Sequence, residues 1–191
     1  MLNAQNSFLP VSAALRVSVH PEQLKRLSFV DLEDYSGVIR KVQEYFSEIG
    51  FVPPEGYIDR GIYALKQYYA VALLDPANAH AVSVPVDPFW HFHVLHTEQY
   101  MDFCNRVIGE YMHHRPLDHS KKPHLEAVRQ LYSYTLDVLP QLFSVVDAEF
   151  WPQNLADSAI ICWHKGNQSI YQEVQQYRLF EPSSRGVGYS L

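Results

Sequence analysis

Between Asp87 and Pro116 the chain spells out one helix and the turn that leaves it, and it places five of its ten histidines there. Asp87-Pro88 is a strong helix start: the aspartate can cap backbone donors, and proline's missing N–H is harmless in the first turn. Gly109 supplies a left-handed exit, so the spacing predicts one helix from Asp87 to Ile108. At about 100° per residue, His91 and His93 lie about 200° apart and point to opposite sides. A simple chelate by these two is therefore excluded.

One face of this helix carries His91 with Asp87, Val94, Leu95 and Glu98. The other carries His93 with Phe89, His96, Thr97, Tyr100 and Cys104. His91 needs ligands from elsewhere, and the natural donors are His113 and His114, if the chain doubles back after Gly109. Asp87 or Glu98 can add an oxygen, and such N/O ligation suits Zn, Fe(II), Mn or Cu. Simpler roles stand beside these: Asp87 as an N-cap, Trp90 and Tyr100 as core aromatics, Cys104 as a small buried hydrophobe. His119, His124 and His164 are isolated and expected at the surface.

The rest of the chain reads as one all-α domain of five to seven helices. At 191 residues and 47% hydrophobic it can bury a core, since chains of this size remove roughly 70% of their unfolded surface from water. After an extended arm over residues 1–17 and a short helix near Leu24 and Leu27, Asp31 is expected to open a helix running to Gly50. A second helix spans Ile58 to Leu73 and stops near Asp75-Pro76. Ala77 to Val86 is the best place for an extended segment. Leu125 to Val138 forms a later helix that Pro140 ends or kinks. Ala156–His164 and Ser169–Phe180 read as two further helices, and residues 181–191 as a loose tail.

A formal charge of −6 without a basic stripe argues against nucleic-acid and anionic-membrane partners. No stretch approaches the ~20 apolar residues of a membrane span, and the N-terminal segment lacks the pattern of a secretory signal. Cys104 and Cys162 do not form a disulfide framework. A cytoplasmic protein is the expectation, with its oligomeric state left open.

The run Asp87-x-x-Trp90-His91-x-His93, then Thr97-x-x-Tyr100, Cys104 and Gly109-x-x-x-His113-His114-x-Pro116, resembles the core motif of the glycine-rich domain-containing protein-like family. The resemblance implies a mostly helical domain in which Trp90, His91, His93, Cys104 and His114 fill the defining positions. It implies no particular reaction. Longer plant relatives are linked to stress responses and RNA association, but with eight glycines and no glycine-rich tail this chain does not inherit that role.

The expectation is thus a histidine-centred polar site binding one transition-metal ion, Zn or Fe. His91, His113, His114 and Asp87 are the ligand candidates, with His93 and Tyr100 as proton carriers if an open coordination position activates water or dioxygen for a small molecule. Whether it is an enzyme stays open. The alternative is a protein-interaction module whose histidines form a structural hydrogen-bond network, and a third reading is a pH-responsive module.

Overall fold

A computed structural model of the chain describes residues 8–118, 120–153, 160–173 and 176–185. Among these, seven helices enclose a small antiparallel sheet. They are α1 (Pro21–Leu32), α2 (Ser36–Glu48), α3 (Tyr57–Leu74), α4 (Asp87–Leu95), α5 (Thr97–Val107), α6 (Lys122–Leu142) and α7 (Gln168–Glu173). The strands are β1 (His80–Ser83), β2 (Arg115–Pro116) and β3 (Ile160–His164), in the order β1-β3-β2. No described helix is long and apolar enough to cross a membrane.

α3 is the axis of the core. Ile62, Leu65, Tyr68, Tyr69, Val71, Ala72 and Leu73 are buried on every side of it, which a helix tolerates only when neighbours cover it all round. α1, α4 and α6 provide that cover. α4 comes especially close: a Cβ at Gly61 would sit 2.1 Å from Cζ of Phe89, so only glycine admits the ring there.

Several expectations change. Asp31 does not start a helix; it lies near the end of α1, and its carboxylate accepts from the Val11 and Ser12 backbone N–H groups at 2.7 and 3.1 Å. That contact folds the arm back onto the domain, where Arg16 N donates to the Leu142 carbonyl at 2.8 Å. α6 runs two residues past Pro140 before Phe143 caps it. The segment 160–164, expected as helix, is the central strand; the part at 156–159 lies outside the described residues. Ile160 to His164 is a short apolar run whose periodicity fits either structure, and pairing to strands on both sides decides the matter. Of the helix expected over Ser169–Phe180, the described residues show the six-residue α7, and residues 176–180 are not helical.

The long histidine helix is in fact two. His96 turns its own Nδ1–H onto the Phe92 carbonyl at 2.7 Å, the acceptor its backbone N–H would use in an unbroken helix. That N–H goes to His93 instead, at 3.0 Å, and α5 begins at the next residue. Gly37 on α2 leaves room for the displaced ring, because a Cβ there would meet His96 Nε2 at 2.6 Å. Gly109 does end α5 in the left-handed region, at φ 84°, with its N–H bonded to the Cys104 carbonyl at 2.8 Å.

Candidate metal centre

Strand alternation sets the site. In β3, Cys162 and His164 leave one face and Trp163 the other. The first face turns toward α3 and α4, where Tyr68 meets His164 and Asp87 meets Cys162. Trp163 faces the start of α6, with its ring 6.4 Å from that of His124.

Asp87 was expected to cap its own helix. Val86 occupies the cap position instead, with no side-chain cap bond, and the Asp87 carboxylate points inward. Its Oδ1 accepts from His114 Nε2 at 2.9 Å and from the Cys162 thiol at 2.7 Å. One oxygen, one imidazole nitrogen and one sulfur, from three separate parts of the chain, lie within 4.8 Å of one another. Cys162 is fully buried, while Asp87 and His114 are partly open to solvent. Burial, and then the adjacent carboxylate, push the Cys162 thiol far above its ordinary range. Left to itself the thiol stays protonated and is a poor nucleophile; a cation at this point would reverse that preference.

The turn after Ile108 does fold back, which meets the condition for His113 or His114 to approach the helix. Trp90 Nε1–H donates to Tyr100 OH at 3.0 Å, and Tyr100 OH donates to the Met112 carbonyl at 2.7 Å, which ties the loop carrying His114 to α4 and α5. The Trp90 ring lies 4.6 Å from the His114 ring. His91 is exposed at the rim, 5.4 Å from His114 between ring centroids. His113 is also exposed and packs edge-on against Tyr111 at 4.9 Å, apart from the three donors.

His93 and Tyr100 are not brought to this point. Both are fully buried, and the Trp90 ring lies between Tyr100 and His114. His93 shares a hydrogen bond of 2.7 Å with the Tyr69 hydroxyl through Nδ1. Its Nε2 stands 3.8 Å from Glu33 Oε1, an ion-pair distance too long for a hydrogen bond, and has no hydrogen-bond partner among the described residues. Burial would raise the Glu33 carboxyl, but His93, Gln99 and Arg106 facing it outweigh that and hold it below its ordinary value. Burial likewise depresses His93, and the nearby Glu33 only partly restores it.

This depression fixes a pH response. The unfolded chain takes up a proton on His93 near pH 6.5, whereas the native imidazole resists it, so below that pH the unfolded state binds more protons and stability declines. Glu33, depressed in the fold, loses its contribution only in more acidic solution, below its ordinary 4.5. The expected result is a stability that falls as pH drops from 6.5 toward 5, by at most about 1.4 kcal/mol per pH unit from His93, and a melting temperature that falls with it. Burial holds His164 down as well and adds a loss of the same sign, so His93→Gln should make the slope in that window shallower without abolishing it; an unchanged slope would count against the assignment.

Cys162, absent from the ligand set expected from the sequence, joins Asp87 and His114, and His164, expected at the surface, is buried. His164 Nδ1 meets Tyr68 OH at 2.6 Å, and Tyr68 also donates to the His80 carbonyl at 3.1 Å. His80 in turn bridges Thr135 and Asp75, each at 3.1 Å. No sequence signal marked Cys162, because nothing in its neighbourhood repeats a ligand spacing. The strand register brings it in.

No curated protein and no solved structure matches the chain. A family model described as UCP032817-like matches residues 57–137. The chain is similar to that family from the start of α3 into α6, a span that contains Asp87 and His114 but stops short of Cys162.

Proposed function

We propose that this protein binds one transition-metal ion, Zn(II) or Fe(II), between Asp87 Oδ1, His114 Nε2 and Cys162 Sγ. The convergence of these three donors from α4, the loop before β2 and β3 carries the reading. A mixed O/N/S set fits zinc or iron better than magnesium or calcium, which take oxygen ligands. Cys162 alters the all-N/O donor set read from the sequence, and three protein ligands leave a position for an exogenous molecule. A bound ion would supply Lewis acidity there.

The chain's own residues have separable tasks. Asp87 gathers the other two donors onto one oxygen. Trp90 covers the His114 ring, and Tyr100 anchors the loop behind it. His91 stands on the solvent side, where it can complete the coordination or contact an incoming small molecule. The resemblance of residues 87–116 to the glycine-rich domain-containing protein-like motif is consistent with this, since Trp90, His91 and His114 fill its defining positions.

A thiol nucleophile activated by histidine is disfavoured on geometry: Cys162 donates to Asp87 rather than to His114, and its acidity is suppressed. Protein purified without a nickel column should carry close to one equivalent of zinc or iron by elemental analysis. Less than about a tenth of an equivalent, together with no rise in melting temperature on adding Zn(II) or Fe(II), would remove the proposal.

A further inference from the structure

Arg115 and Trp163 are register partners across β2 and β3, so their side chains leave the sheet on the same side. The guanidinium carbon lies 5.5 Å from the Trp163 ring centre. Arg115 Nε and Trp163 Nε1 are both buried donors, and neither has a hydrogen-bond partner among the described residues. Nor does any described carboxylate pair with this guanidinium. In a chain with 21 acidic and 15 basic side chains, carboxylates are not scarce. Two buried donors side by side without acceptors are unfavourable unless something else supplies the acceptor.

The two residues border an open basin of about 380 Å³, shared with His113, His114, Pro116 and His124. None of these lining residues is acidic. His124 accepts the Asp118 backbone N–H on Nδ1 at 3.2 Å, so a neutral ring keeps its proton on Nε2, as a further donor. His114 links the basin to the proposed metal ion. The surroundings thus offer donors, a planar cation and an aromatic wall, in a space that suits a small molecule.

We infer that this basin binds a small oxyanion, a carboxylate or phosphate group seated on the Arg115 guanidinium beside Trp163. The planar fork of Arg115 matches either group through two parallel hydrogen bonds. The inference rests on the metal reading only where it names this anion as the class of molecule presented to His114; the anion subsite itself is independent of any ion.

The test uses the full chain after chelator treatment, titrated separately with inorganic phosphate and with succinate and followed by NMR of the arginine Nε–H and tryptophan indole N–H resonances. One of the two anions should shift the Arg115 and Trp163 signals saturably, and the uncharged diamide of succinate should not. Phosphate alone, or succinate alone, identifies which oxyanion the site prefers. Arg115→Gln should weaken binding about tenfold or more, with Arg115→Lys in between. If neither anion moves these resonances at millimolar concentration, or if Arg115→Gln binds as tightly as the wild type while melting normally, the inference falls. Zinc uptake is measured on the same samples. Zinc binding without anion binding overturns the subsite and leaves the metal reading standing, and anion binding without zinc does the reverse.

Discussion

Cys162→Ser is expected to lower Zn(II) affinity about 100-fold or more while leaving the fold in place. The soft donor is lost, yet the hydroxyl keeps the size needed between β1 and β2 and can still donate to Asp87. His114→Ala and Asp87→Asn should weaken binding by comparable factors. His91→Ala should weaken it no more than about tenfold, because His91 sits at the rim and is not among the three convergent donors. The melting curve gives a second readout: zinc at about 100 times its Kd stabilises the wild type by roughly 2.7 kcal/mol, and Cys162→Ser should lose most of that at the same zinc concentration. If all four variants bound zinc like the wild type, the ion would have to sit elsewhere. If His91→Ala were the most damaging, the site would lie nearer the surface than Cys162.

Asp75→Ala is expected to be the most destabilising single change outside the apolar core, by about 3–5 kcal/mol in urea denaturation. Its carboxylate is fully buried and accepts from His80 Nε2 at 3.1 Å, Tyr134 OH at 2.8 Å and Asn78 Nδ2 at 2.6 Å. Removing it strands the His80 and Tyr134 donors where water cannot replace the acceptor, while Asn78 Nδ2 keeps the Glu181 carbonyl. The damage reaches further, because Asn78 also holds the chain at Glu181 and Ser183, at 3.0 and 2.7 Å. The segment expected as a loose tail from residue 181 is tied down at its start by these bonds. Asp75→Asn keeps the shape and part of the bonding and should lose less. Equal loss for the two substitutions would show that charge rather than hydrogen bonding governs the cluster.

The buried histidines divide by role. His80, His93 and His164 hold helices and strands together through hydroxyl and carboxylate partners. His114 alone among the described histidines meets both a carboxylate and, through that carboxylate, a thiol. Composition could not separate these cases, since every imidazole carries the same two nitrogens. What differs is the group that each nitrogen meets.

Local chemistry sufficed for the helix start at Asp87-Pro88, the left-handed exit at Gly109, the helical periodicity of α3 and the opposite orientations of His91 and His93. Each depends on residues within a turn or two of one another, where backbone geometry leaves few choices. Folding back of the 109–116 loop was only the condition for bringing His113 and His114 to the helix, and packing met it: Asp87 and His114 join across 27 positions of sequence. Tertiary packing alone decided that His96 breaks the helix, that residues 160–164 form a strand, and that Cys162 meets Asp87 across 75 positions of sequence. Those outcomes turn on which carbonyl, which strand edge and which cavity a distant segment offers, and no periodicity within the segment itself encodes that.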